Sequence, residues 1–538
     1  MGRKGTGKRK EREAEKRDLL FNILVLFLYA AFLLLVISFH EPWYDEAQSW
    51  LIARDASFHD LLFRLPHYEG HPSFWWLLLA VPAKLGLPFQ IGLRGIQVIF
   101  AILGEYLLIF HSPFPRWIRL FLPFTYFFFY QYGIMSRPYS IMLCAVCLAA
   151  MTWQERNRKP FRFVLSLMLL CLTCAFGILI AGGIAVVWCL EIFADRSLFR
   201  SRRRLVSLIL LLLLALVLLA QIIPYPDTYS AHIPAFQETT SKTKQFFMFF
   251  FCLPAESMFT AFARDVHLRY FTPSAADLLK MAAVTVPMWI ALVLAGRKKR
   301  TWLYLFVPYL FVAVFSSFVY FHTHHMGVLV VIFLFYLWIS DCRGSLFRKR
   351  YAEMAFRVLL VAGFCVNLSW TLYSSVTDLQ RDYAVGRKLA AFLTENDLLD
   401  RRISYSWWIE TDESGNILYE NTHVNRSAID EVNMYLEKPV LDGYMGGQSY
   451  ADFRDIPQEE MEREKEELRE AGVDVVIGKV EDVYFHQLDL DPEDFVKVAE
   501  LYYDRVWKRK DVFSKVDVLM RRTMAAERGL GEGQDQDD

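Results

Sequence analysis

Two adjacent carboxylates, Asp45 and Glu46, stand just beyond the first long apolar run of the chain, among the rings of Trp43, Tyr44 and Trp50. Charge beside a bilayer is costly to desolvate, so an acidic pair there calls for a task. A positioned carboxylate can take the proton of an attacking hydroxyl, which is typically worth about 10²–10⁴-fold in rate. Tyr68, Glu69 and His71, the last followed by Pro72, come later in the same stretch. Arg94, the run Ser136, Arg137, Pro138 and Tyr139, and the histidines His322, His324 and His325 lie further on. Arginine and histidine can stabilise the negative charge that develops on a departing phosphate. The chemistry these types suit is a displacement in which a hydroxyl attacks and a phosphate leaves.

The elements that must position these groups are membrane-spanning helices. Of 538 residues, 54% are hydrophobic and 16% aromatic, and the mean hydropathy is positive, above the roughly 45–50% apolar content of soluble domains. Many stretches approach the ~20 apolar residues that cross a bilayer. Spans are expected at 19–39, 92–110, 118–134, 138–153, 162–177, 178–194, 205–223, 274–296, 301–321, 326–341 and 353–375. Two apolar stretches are interrupted: 73–88 holds Pro82 and Lys84, and 245–262 holds Pro254 and Glu256. The positive-inside rule arbitrates. If neither stretch crosses, the basic loops near 154–159, 200–204, 297–300 and 348–350, with Arg116 and Arg119, all share the side of the basic N-terminal segment 1–18. If 73–88 crosses, most of them face outward.

The first arrangement predicts about eleven spans in a plasma-membrane protein, with a cytoplasmic N-terminus and an uncleaved first span. The two interrupted stretches become re-entrant or interfacial helices on the outer face, with Trp75, Trp76 and the phenylalanines of 246–251 at headgroup depth. It also places Asp45, Glu46, His71, Arg94, Arg137, Tyr139 and the three histidines on that same outer face.

Residues 376–538 carry 38 acidic and 21 basic side chains, so the acidic tail and the basic remainder read as two parts in two environments. The tail reads as an extracytoplasmic α/β domain over 378–524. It has helix-like 385–393, strand-like 403–409, a charged helix at 459–471, a strand at 473–477, a helix-then-strand pattern over 495–519, and a disordered acidic end at 525–538. It shows no Gly-rich phosphate loop or nucleophile elbow, and no repeat of 20–50 residues runs through the chain. Nothing interleaves basic residues with stacking rings as nucleic-acid binding would require. All eight cysteines precede residue 376. The pairs Cys144/Cys147 and Cys171/Cys174 have metal-ligand spacing but lie in apolar runs without His or carboxylate neighbours, which fits packing.

One span, an acidic Asp45–Glu46 pair in the first outer loop (40–91), a His71–Pro72 element and a Ser136-Arg-x-Tyr139 element together resemble the GT-C superfamily. The chain is most similar to bacterial protein O-mannosyltransferases and lipid A aminoarabinose transferases. The resemblance covers 19–375 and departs at Ser73, where a second proline is usual. It implies a GT-C transmembrane domain (19–377) and an inverting glycosyltransferase that needs no cofactor or divalent metal. The donor would be a polyprenyl-phosphate-linked sugar, and the acceptor an unspecified glycan, lipid or protein. It makes Asp45 the base or acceptor-orienting carboxylate with Glu46 as support, the two roles being exchangeable. Arg137 and Tyr139 would lie at the cavity rim; His71, Arg94, His322, His324 and His325 are donor-phosphate candidates, and Trp43, Tyr68 and Glu69 are acceptor-side loop residues.

Plainer readings stand beside these. The acidic pair suits a helix N-terminus, Arg137 a headgroup anchor, Arg94 helix packing, the histidines an ordinary polar loop, and Lys84 a structural contact. At the level of the whole protein, the alternatives are a transporter or flippase of lipid-linked saccharides, which would show repeats and midplane charge, and a non-catalytic receptor or scaffold, which leaves the carboxylate pair unexplained.

Overall fold

The computed structural model describes residues 3–195, 197, 200–228, 240–262, 266, 268, 271–340, 349–405, 408–411, 417–421, 426–437, 439, 449–450, 453–454, 457–478, 490–507 and 510–530. The helices are α1 (Arg3–Phe39), α2 (Tyr44–Asp55), α3 (Leu65–Glu69), α4 (Phe74–Lys84), α5 (Phe89–His111), α6 (Arg116–Phe121), α7 (Tyr139–Thr152), α8 (Pro160–Cys171), α9 (Ala175–Ala194), α10 (Arg202–Ile222), α11 (Lys242–Phe251) and α12 (Leu253–Phe259). They continue with α13 (Ala275–Gly296), α14 (Leu303–Phe318), α15 (Met326–Ser340), α16 (Arg350–Gln380), α17 (Gly386–Glu395), α18 (Arg426–Asn433), α19 (Gln458–Ala471) and α20 (Arg522–Glu527). Six strands follow α17: β1 (Ile403–Tyr405), β2 (Trp408–Thr411), β3 (Ile417–Asn421), β4 (Val475–Gly478), β5 (Phe495–Trp507) and β6 (Lys510–Arg521).

Among the described residues, seven helices are long and apolar enough to cross a bilayer: Glu11–Phe39 within α1, then α5, α9, α10, α13, Thr323–Ser340 and α16. The chain is a multi-pass helical membrane protein. By contrast α4, at 11 residues, is roughly 16 Å long, about half the ~30 Å hydrocarbon core. It cannot cross. The 245–262 stretch is likewise divided, with α11 ending at Phe251, Cys252 as its cap, and Pro254 in the first turn of α12.

Contacts divide the chain into two compact units. The first comprises Met1–Ser38, Arg94–Gln221 and Pro234–Val376. Three expected spans take a different form in it. The 118–134 segment is not one helix: α6 runs into a 3-10 turn at Leu122–Phe124, Thr125 is extended, and a wide π-helical segment covers Tyr126–Ile134. Pro123 has no N–H to continue the ladder. Carbonyls freed at the break are taken by hydroxyls, Thr125 on Leu122 O at 2.7 Å and Thr371 on Phe124 O at 2.8 Å. The break expected at 177/178 falls instead at 172–174, where Thr173 caps Leu170 O at 2.7 Å. Gly177 is inside α9 and lies so close to the Leu170 carbonyl that a Cβ would not fit. The phenylalanines of α11 are not all turned outward: Phe247 and Phe251 are exposed, whereas Phe249 is fully buried.

The second unit comprises Phe39–Leu93, Ile222–Ile233 and Thr377–Asp538. Residues 39–93 therefore cluster with the C-terminal segment that starts at Thr377. The reason is a set of polar contacts over some 340–390 residues of sequence, described below. Trp75 and Trp76 of α4 are buried in this unit rather than presented to headgroups, and α4 packs on α2. A four-stranded sheet in the order β1-β4-β6-β5 has β1 parallel to β4 and the other neighbours antiparallel; β2 and β3 form a separate hairpin.

The 495–519 segment is a β5–β6 hairpin, not a helix followed by a strand. Its valines at 496, 498, 506, 512, 516 and 518 favour the pleated surface, and each strand supplies the other's ladder partners. Leu389 and Leu393 of α17 pack with Val475, Ile477, Val518 and Met520 in one core. The folded chain runs past the boundary drawn at 524, through α20 to Leu530, which packs against that core. Trp407 and the 531–538 part of the acidic end lie outside the described residues. Leu389 is fully buried, so Leu389→Ala is expected to lower the domain's stability by about 2–5 kcal/mol, read from thermal unfolding of the purified protein.

Candidate functional site

In the second unit, α2 begins at Tyr44, which puts Asp45 and Glu46 in its first turn, where acidic side chains complement the helix dipole. The two carboxylates part company there. Glu46 is wholly buried; its Oε2 accepts from the Trp43 backbone N–H at 3.2 Å and lies 3.1 Å from His40 Nε2. Asp45 is half-buried, and its own carbonyl accepts from the Ser49 hydroxyl at 2.7 Å.

His40 escaped the sequence reading, yet it is the centre of this arrangement. It is 1% exposed, with Nδ1 at 2.9 Å from Asp378 and Nε2 at 3.1 Å from Glu46. A ring with a carboxylate at each nitrogen donates from both, which is the imidazolium form. Burial alone would strip its proton; Asp378 and Glu46 outweigh that and raise its pKa to about 10. Glu41 forms a second buried contact. Its Oε2 accepts from Ala384 N at 3.2 Å, and Arg387 Nε lies 2.7 Å from Oε1 as an ion pair without hydrogen-bond alignment. Burial pushes Glu41 up to about 7, with Arg387 pulling against it and Asp382 adding to it.

Further contacts complete the fastening. Tyr44 N donates to Glu431 at 3.1 Å, Arg54 donates to the carbonyls of Asn433 and Leu436, and the Ser449 hydroxyl bonds Asp55.

The His71 element closes the same loop. Gly70 ends α3 in the left-handed region at φ 66°, its N–H on Pro66 O at 2.9 Å, a conformation glycine takes at no steric cost. His71 and Pro72 follow, and the Ser73 hydroxyl donates to Leu61 O at 2.5 Å. Where a second proline is usual, this chain thus has a donor that ties the turn down. Glu69 accepts from Gln48 Nε2 of α2 at 2.8 Å, and Tyr68 donates to Asp227 at 3.0 Å. Lys84 bonds the carbonyls of Arg54 and Ala56 that end α2, which is a structural contact.

The remaining candidates belong to the first unit. Gln97 of α5 binds the carbonyls of Tyr132 and Gly133 at 2.7 and 3.0 Å and accepts from Ser140 at 3.0 Å. It thereby pins both sides of the turn that carries Arg137. The Arg137 guanidinium is half-buried and lies 5.9 Å from the centre of the Tyr139 ring, within cation–π range. Tyr139 stacks on Tyr132 at 5.1 Å, and Tyr132 presses on Gly327 at the start of α15.

Just before Gly327 lie the histidines. The His322 N–H donates to His325 Nδ1 at 3.1 Å, which makes Nδ1 an acceptor and leaves the proton of the buried ring on Nε2. Thr323 anchors this turn by accepting from Val266 N at 2.7 Å. His322 and His324 stack at 5.5 Å and are half-buried. The unit thus brings Arg137, Tyr139 and the histidine turn to one end. Arg94 donates to Ser38 O at 3.4 Å, one of the last carbonyls of α1, a helix-ending contact. Cys144, within α7, donates to Phe100 O at 3.1 Å, in keeping with packing. Among the described residues no group of three or more His, Cys, Asp or Glu is arranged to hold a metal ion.

No family model and no curated protein matches the sequence. Among solved structures the chain is similar to ArnT from Cupriavidus metallidurans in the apo state, with a TM-score of 0.52 at 13% identity over 94% of this chain and 98% of that one. It is similar to the same protein bound to undecaprenyl phosphate, with a TM-score of 0.50 at 13% identity over 92% and 97%. ArnT is a lipid A aminoarabinose transferase, a GT-C glycosyltransferase. The likeness is one of fold: this chain shares the helical membrane fold of that structure and carries a C-terminal sheet region.

Removing the cation between two buried carboxylates leaves both uncompensated. His40→Gln is therefore expected to destabilise the protein by about 3–5 kcal/mol. Because the folded pKa is raised, the wild-type advantage is complete below about 6.5 and fades as pH rises through about 10. Thermal unfolding of both proteins across that range checks the size and the sign.

Proposed function

We propose that this chain is an integral-membrane, inverting glycosyltransferase that moves a sugar from a polyprenyl-phosphate-linked donor to an acceptor at the outer face of the membrane. The observation that carries the reading is the division of labour in the acidic pair: Glu46 is consumed by His40 and the Trp43 N–H, while Asp45 beside it is half-buried. The GT-C fold supports it, and so does the neighbour of the same fold that binds undecaprenyl phosphate.

In the proposed reaction an acceptor oxygen attacks the anomeric carbon and the bond to the donor phosphate oxygen breaks. The electron pair leaves with the phosphate, and the hydroxyl proton passes to Asp45. Within the first unit, Arg137, supported on Tyr139, is the group assigned to the charge on the departing phosphate, with His322 and His324 as further donors. A half-buried guanidinium is worth more there than one in open water. His325, its Nδ1 occupied by the His322 N–H, shapes the turn, Arg94 holds the end of α1, and Glu46 is a positioning residue. Proton transfer to a carboxylate and charge stabilisation by Arg and His require no metal or cofactor. The orientation that goes with this reading keeps the N-terminus in the cytoplasm and the C-terminal domain outside.

The transporter and receptor alternatives gain no specific observation. The test is complementation of cells lacking the protein, scored by mass spectrometry of the sugar added to the surface acceptor. Asp45→Asn is expected to reduce transfer by about 10²–10⁴-fold at unchanged membrane insertion and thermal stability. Glu46→Gln is expected to lower stability first. Near-normal transfer by Asp45→Asn removes the base assignment.

A further inference from the structure

The first unit contains a cavity of about 650 Å³ that serves none of the groups above. Its wall runs along α16 from Glu353 to Asn367, roughly 21 Å of helix, so it is a slot rather than a bowl. Trp117, Phe127, Met288, Leu292, Phe333 and Phe364 give it apolar sides. The few polar residues in its wall are already engaged. Thr125 donates to Leu122 O, Ser257 to Pro254 O, and Asn367 to the carbonyls of Met258 and Gly363. Water in such a space would lack the two to four polar partners it needs. Such a lining suits a hydrocarbon chain.

Charge appears at one end only. There α16 begins, Arg357 is paired with Glu353 at 3.1 Å, and Arg357 is 63% exposed while Glu353 is 14% exposed. Lys349 and Arg350, both exposed, precede them in the chain. Lys349 also lies over the exposed Tyr351 ring at 5.6 Å, the kind of aromatic and cationic pairing found at headgroup depth. Arg137 and the histidine turn sit at the opposite ends of the elements that line the slot: the cavity touches the Thr125 side of the Tyr126–Ile134 segment and Val330 to Leu337 of α15. The slot is thus separate from the residues proposed to meet a sugar-bearing lipid phosphate.

We infer that this slot binds one acyl chain of an anionic phospholipid, whose headgroup phosphate lies against the cationic start of α16. The proposal is independent of the glycosyltransferase reading and would survive its failure. It is tested on the full-length protein purified in mild detergent, by native mass spectrometry and quantitative lipid analysis of what co-purifies. The wild type is expected to retain about one anionic phospholipid per chain. Leu292→Trp, which fills the slot, is expected to reduce that at least tenfold. Arg357→Glu, an exposed change that leaves the core untouched, is expected to remove the preference for anionic over zwitterionic headgroups even if the tryptophan variant does not fold. The proposal is overturned by a wild type carrying no stoichiometric phospholipid, by a polyprenyl lipid in its place, or by an Arg357→Glu protein with wild-type lipid content.

Discussion

A buried imidazolium between two carboxylates holds this architecture's polar half together. His40 touches Asp378 and Glu46 at once, and all three are almost wholly buried. Such a cluster gives little net stability compared with an apolar core, because desolvating the charges offsets their attraction. Its effect is positional, since each member is costly to bury without the others. The residue that follows α1, the first turn of α2 and the end of α16 are thereby held in one register. Glu46 cannot turn away without stranding His40, and Asp45 is fixed in place by being its neighbour on the same helical turn.

The same logic explains why the loop 40–91 joins the C-terminal domain. Glu41 reaches Ala384 and Arg387, Tyr44 reaches Glu431, and Arg54 reaches the carbonyls of Asn433 and Leu436. Apart from the exposed Arg387, the partners in these polar contacts are partly or wholly buried, so mispairing would leave unsatisfied groups. The C-terminal domain is therefore a structural support for the acidic loop, whatever else it binds. The sheet and α17 give that support its own apolar core.

What could be read from the chain alone follows a physical divide. Long apolar runs show themselves locally, so α1, α5, α10, α13 and α16 were evident, and Pro82 with Lys84 marked 73–88 as interrupted. Asp45, Glu46 and Arg137 stood out because charge next to apolar runs is rare. His40 did not, because its meaning depends on Asp378, 338 residues away, and no local pattern encodes that. The break at Thr125 was hidden for a related reason: a run of aromatic residues reads as a span, and the carbonyls it frees are capped by Thr371 from a distant helix. The β5–β6 hairpin was misread because short valine-rich segments acquire strand geometry from their partner. Tertiary context, not propensity, decided each of these.

The central claim is chemical: a sugar is moved from a lipid phosphate, not carried across a membrane. It is tested most directly where no compartment remains to be crossed. Purified protein would be added to a detergent extract of membranes from cells that lack it, and polyprenyl-linked species quantified by mass spectrometry. The account predicts that one polyprenyl-phosphate sugar declines and free polyprenyl phosphate rises by the same amount. Unchanged pools of both, with the protein folded and acceptor present, would contradict it.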